Sequence, residues 1–339
     1  MRIALDAMGG DHGFKELVAG AVLAARQSEL QVVLVGDEQY LRPYLQQVTS
    51  DSSLLSRIEI VHASQAVGMD ESPVDAIRRK KDSSIMVAFD LAFRGEVEAV
   101  VSAGNSGATM AAAVRKLGRI KHVSRPGIAG ILPTQKKPVV VMDVGANVDC
   151  RPQHLVQFAI MASNFSRILD TSNPRVGILS IGEETGKGNI LVKETHTRLA
   201  KSSLNFIGNV EGRDIFEGDV DVVVCDGFVG NICLKIGEGL SESILQMLKE
   251  AINKSLIAKI GFLFARPALQ SFKKRFDYAE YGGAPLLGIN GTGIICHGKS
   301  NAEAIKNAIF QAAEMVKLRV NDRIAESLAA NALIVEPEA

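Results

Sequence analysis

Glycine-containing polar turns follow several short apolar segments of this chain, and these turns hold the residues that could do chemistry. In the first of them, residues 3–12, an apolar run reaches Asp6 and continues through Gly9 and Gly10 to His12. Glycine lets a backbone turn tightly and approach a ligand closely. The N–H groups that open the following helix favour an anion. The opening segment therefore predicts a turn that can hold phosphate or another oxyanion.

Similar loops, rich in Gly, Asn and Asp, recur along the chain at residues 103–108, 143–147, 181–189, 225–231, 282–291 and 297–300. Ligands of open α/β sheets bind beyond the carboxyl ends of the strands, so we expect these loops to converge on one edge of a sheet. For any single loop, an ordinary turn is the alternative, because Gly, Asn and Asp also form turns. The residues expected to bind phosphate or substrate are Gly9, Gly10, Gly104, Asn105, Ser106, Gly107, Asn147, Asn189, Asp226, Gly227, Gly230, Asn231 and Lys299.

Other chemistries fit the motifs poorly. Residues 104–107 do not form GxGxxG, and residues 182–189 lack the spacing and the Ser/Thr of a Walker loop, which disfavours a nicotinamide or ATP enzyme. No His/Cys/Glu cluster has the spacing of metal ligands, so we predict no metal and no cofactor. Cys225 and Cys296 lie near the loops, but no adjacent His–acid pairing accompanies them, and inert buried thiols are the better interpretation.

The bulk composition limits the class of protein. The chain has 339 residues, is 47% hydrophobic, and balances 38 Lys and Arg against 38 Asp and Glu. A net charge of zero argues against a nucleic-acid binder. The four cysteines form no CxxC pair. There is no signal segment and no apolar run of about 18 residues, so we expect a cytoplasmic protein without a membrane span.

Short β-branched segments alternate with amphipathic segments. We predict strands at 3–6, 32–35, 58–62, 99–102, 128–132, 139–143, 176–180, 205–210 and 220–225, and helices at 14–27, 85–93, 155–169 and 191–200. The strands are continuous apolar runs, which is typical of strands buried on both faces. The alternation predicts an α/β protein, a three-layer α/β/α fold with a mostly parallel sheet. Residues 1–325 are expected to form one catalytic unit, with a boundary between two lobes near 145–152 left open, and residues 326–339 a C-terminal tail.

Residues 251–276 combine basic and apolar side chains and contain no acidic residue. A basic amphipathic helix docks on an anionic membrane surface or on an acidic partner. The alternative is an ordinary helix whose apolar stripe lies in the core or in a dimer interface. Pro267 would divide the segment into two helices. The residues expected to contact a membrane or an acidic partner are Lys254, Leu256, Lys259, Ile260, Leu263, Phe264, Arg266, Lys273, Lys274 and Arg275.

Taken together, the loops resemble those of the bacterial phosphate acyltransferase (PlsX) family. The resemblance runs from residue 2 to residue 320, and the last twenty residues of the chain carry no family signal. The segments that carry it are Ile3-Ala-Leu-Asp-Ala-Met-Gly-Gly-Asp-His12, Ser102-Ala-Gly-Asn-Ser-Gly-Ala108, Met142-Asp-Val-Gly-Ala-Asn147, residues 182–189, Cys225-Asp-Gly-Phe-Val-Gly-Asn231, Gly282-Gly-Ala-Pro-Leu-Leu-Gly-Ile-Asn-Gly291 and His297-Gly-Lys-Ser300.

The resemblance implies a fold like that of phosphotransacetylase and of isocitrate/isopropylmalate dehydrogenase. It implies reversible transfer of a long-chain fatty acyl group from acyl carrier protein to inorganic phosphate, giving acyl phosphate. The product would pass to a glycerol-3-phosphate acyltransferase in phospholipid synthesis. The resemblance also implies a homodimer that is peripherally associated with the inner face of the cell membrane.

Phosphate is already a nucleophile, so this reaction requires no covalent enzyme intermediate. The enzyme would align phosphate with the thioester carbonyl and stabilise the tetrahedral oxyanion. Lys187 and His297 are the candidates for neutralising charge on phosphate or oxyanion, and Asp6 and His12 for positioning groups or relaying protons. The alternatives are a short-chain phosphotransacetylase that uses coenzyme A, a non-catalytic membrane scaffold and, at the level of the fold, an NAD-dependent dehydrogenase.

Overall fold

The computed structural model describes residues 1–255, 258–259, 261–262, 264–267 and 278–335. Eleven strands of these residues form one sheet, whose spatial order is β3-β2-β1-β4-β11-β10-β5-β6-β9-β7-β8. The strands are β1 (Arg2–Asp6), β2 (Gln31–Gly36), β3 (Ile58–His62), β4 (Ala99–Ser102), β5 (Gly127–Leu132), β6 (Val139–Met142), β7 (Val176–Leu179), β8 (Phe206–Val210), β9 (Val222–Val224), β10 (Ala284–Leu287) and β11 (Thr292–Ile295).

Helices cover both faces of this sheet. They are α1 (Phe14–Gln27), α2 (Glu38–Val48), α3 (Ser52–Leu55), α4 (Pro73–Arg79), α5 (Ser84–Phe93), α6 (Ser106–Leu117), α7 (Pro152–Phe165), α8 (Ile190–Leu199), α9 (Asp214–Glu217), α10 (Gly227–Asn253), α11 (Ala302–Lys317), α12 (Val320–Ala330) and α13 (Ala332–Val335). Short 3₁₀ helices span Ser166–Leu169 and Tyr278–Tyr281.

Two separate apolar cores lie on the two faces of the sheet. Ile3 and Leu5 of β1 point into the core shared with α1, α7 and α11, whereas Ala4 points into the core shared with α5 and α6. This alternation follows from the two-residue period of a strand. Burial on both faces explains why the strands are continuous apolar runs. The predicted three-layer α/β/α fold is confirmed.

The sheet consists of two parallel halves that run in opposite directions. β3, β2, β1, β4 and β11 are parallel, and so are β6, β9, β7 and β8. Between them, β10 pairs antiparallel with β11 and with β5, and β5 pairs antiparallel with β6. Three antiparallel pairings reverse the strand direction, so the loops of the two halves do not lie along one edge of the sheet. The expectation from the sequence that all the loops converge on one edge is therefore wrong.

Two segments that the sequence placed in loops are regular elements. Residues 282–291 contain β10, and β11 begins directly after them. The sequence did not predict these strands, because glycines and Pro285 hide the apolar pattern of a strand. Residues 225–231 contain the start of α10, a helix of 27 residues. The lobe boundary near 145–152 stays a prediction, and in the structure these residues connect β6 to α7.

No helix among the described residues combines the length and the apolar character that crossing a membrane would require.

Candidate active site

The loops that follow β1, β4 and β11 interlock in the first half of the sheet. A Cβ atom at Gly9 would lie 2.6 Å from the backbone nitrogen of Gly104, and one at Gly10 would lie 3.2 Å from the carbonyl oxygen of Gly298. The N–H of Asp11 donates to that same carbonyl oxygen at 2.7 Å. The absence of a Cβ at Gly9 therefore lets two loops from distant parts of the sequence meet backbone to backbone.

Asp6 lies beneath these loops and is only 3% exposed. Its carboxylate accepts hydrogen bonds from Ser102 Oγ at 2.7 Å and from the N–H of Met8 at 3.3 Å. The Ser102 hydroxyl in turn accepts from the N–H of Gly104 at 3.1 Å. Burial raises the pKa of Asp6, and hydrogen bonds from Ser84 and Ser102 act in the opposite direction. The structure thus places Asp6 where it orients two loops.

Asn105 caps α6 and fastens a second segment to it. Its Oδ1 accepts from the N–H of Ala108 at 3.0 Å, and its Nδ2 donates to the carbonyl oxygens of Met69 at 2.9 Å and Glu71 at 3.1 Å. Such a cap satisfies one of the N–H groups that a helix start leaves unpaired. The amide of Asn105 is therefore occupied within the protein, and the neighbouring Ser106 lines the candidate cavity.

In the second half of the sheet, the fully buried Asp143 organises the loop after β6. Its carboxylate accepts hydrogen bonds at 2.7–3.2 Å from the backbone N–H groups of Ile128, Gly145, Ala146 and Asn147 and from Asn147 Nδ2. Burial raises the pKa of Asp143, while the hydrogen bonds act to lower it. The backbone N–H groups of this loop therefore donate to a carboxylate of the protein itself.

The start of α10 packs directly on that loop. The N–H of Gly227 donates to the carbonyl oxygen of Asn147 at 2.7 Å. A Cβ atom at Gly230 would lie 1.9 Å from the carbonyl oxygen of Asp143, so no side chain fits there. Asp226 caps the helix, since its Oδ1 accepts from the N–H three residues further on at 2.9 Å.

A cavity of about 270 Å³ is lined by residues from both loop clusters. The first half of the sheet contributes Ser106, Ile295, Cys296 and His297, and α10 contributes Asn231, Leu234, Lys235 and Glu238. The rest of the wall is apolar or glycine: Ile128, Gly130, Ile131, Val144, Gly145 and residues 281–284. An apolar pocket with a few convergent polar groups is typical of a small-molecule site.

His297 and Cys296 stand side by side in the cavity wall. The Nδ1 atom of His297 accepts from the N–H of Lys299 at 3.1 Å, so the neutral ring carries its proton on Nε2. Burial raises the pKa of Cys296 to about 12 and that of Cys225 well above its usual range. Neither thiol is ionised near neutral pH, which disfavours a cysteine nucleophile.

The structure brings together only some of the residues predicted for the site. Ser106, Asn231 and His297 line the cavity. His12, Lys187 and Lys299 are exposed and are not part of its wall. Asn189 caps α8 by accepting from the N–H of Val192 at 2.9 Å. The remaining predicted residues are mainly those whose backbones shape the two loop clusters.

Part of the predicted basic amphipathic segment can be placed. Lys254, Lys259, Phe264 and Arg266 are exposed, and Phe264 is 84% exposed. Leu256, Ile260, Leu263, Lys273, Lys274 and Arg275 lie outside the described residues.

The apolar wall and the role of Asp143 were not predicted from the sequence. Ile128, Ile131 and Val144 look like ordinary residues in or beside a strand, and no local pattern marks them as facing a cavity. Asp143 did carry a signal, because a carboxylate directly after a buried strand needs donors, and three N–H groups follow it within four residues.

The fold and cleft define an α/β protein with a small apolar cavity between two glycine-rich loop clusters. A model of the fatty acid synthesis protein family matches residues 1–323, so this chain belongs to that family. A relative from Syntrophotalea carbinolica, named phosphate acyltransferase, is 58% identical over 327 residues and covers 96% of this chain and 93% of that protein. The family resemblance predicted from the sequence is confirmed.

Solved structures share the fold at low sequence identity. A phosphotransacetylase from Streptococcus pyogenes superposes with a TM-score of 0.65 at 17% identity, covering 94% of each chain. A 4-hydroxythreonine-4-phosphate dehydrogenase from Klebsiella pneumoniae gives a TM-score of 0.55 at 16% identity, covering 93% of this chain and 99% of that one. The predicted fold class, related to phosphotransacetylase, is confirmed.

Proposed function

We propose that this chain reversibly transfers a long-chain fatty acyl group from the thioester of acyl carrier protein to inorganic phosphate, giving acyl phosphate for phospholipid synthesis. The observation that carries the proposal is the cavity, whose apolar wall suits an acyl thioester and whose polar residues Ser106, Asn231 and His297 suit an anion. The shared name of the relatives, phosphate acyltransferase, supports the same reaction.

The reaction joins a phosphate oxygen to the carbonyl carbon of the thioester and breaks the carbon–sulfur bond. The proton of hydrogen phosphate ends on the departing sulfur, so atoms and charge balance within the two substrates. What remains for the protein is to hold phosphate against the carbonyl and to stabilise the charge that forms on its oxygen.

The residues around the cavity divide these tasks. The first N–H groups of α6 and the Ser106 hydroxyl hold phosphate, because a helix start favours an anion. His297 donates from Nε2 to the carbonyl oxygen as it becomes an oxyanion. Asp6 acts by positioning, since it is enclosed beneath the loops. The exposed Lys187 and Lys299 favour the approach of anionic substrates.

A homodimer is supported by the outer face of α10. Phe228, Ile232, Ile236, Leu240 and Ile244 recur every four residues and are 40–63% exposed. By helical spacing Ile236 and Leu240 lie opposite Leu234 and Glu238, which line the cavity. A contiguous apolar stripe is seldom left in water. A second copy of the chain would cover this stripe.

Peripheral membrane association is supported by the exposed part of the basic amphipathic segment. Phe264 is 84% exposed beside the exposed cations Lys254, Lys259 and Arg266. Aromatic and basic side chains together bind the anionic surface of a bilayer. We place this segment on the inner face of the cell membrane, where a glycerol-3-phosphate acyltransferase would take the product.

The test measures release of carrier-protein thiol from palmitoyl-acyl carrier protein with and without phosphate, with acetyl-CoA run alongside. We expect phosphate-dependent release from the first donor. His297→Ala should lower kcat by about 100-fold, the usual effect of removing one oxyanion donor. The matched control, His196→Ala, removes a histidine that packs on Phe206 outside the cavity and should retain activity. Release from acetyl-CoA alone, or from neither donor, would contradict the proposal.

A further inference from the structure

Four consecutive basic residues, 78–81, end α4 and begin the connection to α5. Lys80 is committed within the protein, since its Nζ donates to the Glu71 carboxylate and to the carbonyl oxygen of Ala66. Arg78, Arg79 and Lys81 are exposed, and no hydrogen bond or ion pair of their side chains occurs within the described part of the chain. The fold therefore uses one of the four cations and leaves three in solvent.

Helix α4 packs against the candidate active site. The Cγ atom of Pro73, its first residue, lies 2.6 Å from the position of a Cβ atom at Gly107. The segment before it is tied to Asn105 through the carbonyl oxygens of Met69 and Glu71. Met69 Cε also lies 3.0 Å from the position of a Cβ atom at Gly298, the residue after His297. A helix of seven residues is about 10 Å long, so its basic end lies close to the cavity.

Exposed apolar side chains accompany the three cations. Val74 is 70% exposed and Met69 is 40% exposed. Val74 and Arg78 are four residues apart on α4 and so share one face. An apolar centre with charged neighbours is the composition of a protein–protein contact, in which charge steers the encounter and fixes the orientation.

We propose that this cationic patch (Met69, Val74, Arg78, Arg79 and Lys81) docks the acidic protein that carries the acyl thioester. The inference rests on the proposed function and assigns the surface on which its donor binds. The patch lies beside the cavity, so a flexible arm on the docked carrier can deliver the thioester past Ser106 and His297.

An anionic membrane fits this patch less well than an acidic protein. α4 has two turns and one strongly exposed apolar residue, too little to insert into a bilayer. The exposed carboxylates Asp75 and Asp82 flank the cations and would face the lipid charge. A protein partner can place each of its charges opposite a single cation and avoid those carboxylates.

The experiment compares Arg78→Glu/Arg79→Glu with Arg26→Glu/Lys201→Glu. The control makes the same charge change at two exposed cations that do not line the cavity, Arg26 in the last turn of α1 and Lys201 just after the end of α8. Two readouts are taken: binding of labelled holo-acyl carrier protein at low and at moderate salt, and KM and kcat for palmitoyl-acyl carrier protein. Binding of vesicles with anionic lipid is measured in parallel.

We expect the α4 variant to weaken carrier binding and to raise KM at least about fivefold, with kcat within about twofold and a reduced salt dependence. The control variant should match the wild type. Unchanged KM and binding, or lost vesicle binding at unchanged KM, would overturn the docking surface. In either of those cases the wild-type turnover still stands, whereas a wild type that does not turn over palmitoyl-acyl carrier protein refutes the proposed function itself.

Discussion

Two buried carboxylates, Asp6 and Asp143, each end a strand and hold a loop of the candidate site. Both accept hydrogen bonds from the loop that follows them, and burial raises the pKa of both. A buried carboxylate is costly unless donors surround it, so these loops adopt the conformations that supply donors. At this scale the loops of the candidate site are shaped by two carboxylates enclosed within the protein.

Replacing the Asp143 carboxylate tests that view. In Asp143→Asn, one oxygen becomes an amide that faces N–H donors, which leaves buried donors unsatisfied. We expect the free energy of unfolding in urea to fall by about 2–4 kcal/mol. Asp149→Asn makes the same change at an exposed position in the same loop and should alter stability by less than about 0.5 kcal/mol. Equal effects of the two changes would refute the organising role of Asp143.

At the scale of elements, α10 connects the site to the surface. Its first turn packs on the loop of Asp143, one of its faces lines the cavity, and another face carries the apolar stripe. Position 230 in the first turn has no room for a side chain, because Gly230 packs against a backbone carbonyl oxygen. A shift of this helix would therefore change the loop and the cavity wall together.

Two alanine substitutions on α10 should have opposite signs. Gly230→Ala places a Cβ atom 1.9 Å from the carbonyl oxygen of Asp143, so the helix must move, and we expect a loss of about 2–4 kcal/mol and of most activity. At Gly237 a Cβ atom would make only an ordinary contact of 3.8 Å with Phe216. Gly237→Ala should stabilise the helix by about 0.5–1 kcal/mol. Thermal unfolding and thiol release measure both, and a tolerated Gly230→Ala would contradict the packing.

At the scale of the whole molecule, the sheet reverses direction between its halves, and the cavity lies where they join. The first half contains β1–β4 from the start of the chain and β11 from near its end, so the site is assembled only when distant segments meet.

The proposed homodimer gives a prediction at this scale. Ile236→Asp/Leu240→Asp places two charges in the exposed stripe of α10, where a second copy would have to bury them. We expect the particle mass, measured by light scattering during size-exclusion chromatography, to fall to that of one chain. Phe93→Asp, at an apolar residue that is 66% exposed elsewhere on the surface, should not change it. A wild type of single-chain mass would refute the dimer directly.

The sequence by itself determined the fold class, most of the strands and the family. Continuous apolar runs such as Val139–Met142 are typical of strands that are buried on both faces of a sheet, and that information is local. Loop composition is local as well, so residues such as Ser106 and His297 could be predicted from the order of residues alone. The four consecutive basic residues 78–81 can also be read from the sequence. Only the tertiary structure shows that their helix packs against Gly107, beside the candidate site.

The tertiary structure alone decided which of those residues meet. The sequence predicted that Asn147 and Asp226 bind phosphate or substrate, yet both side chains are engaged in hydrogen bonds within the protein. β10 and β11 stayed hidden, because glycines and a proline interrupt the pattern and pairing with β5 and β4 supplies their stability. Side-chain partners and strand direction depend on contacts between residues far apart in sequence, and no local pattern encodes those contacts.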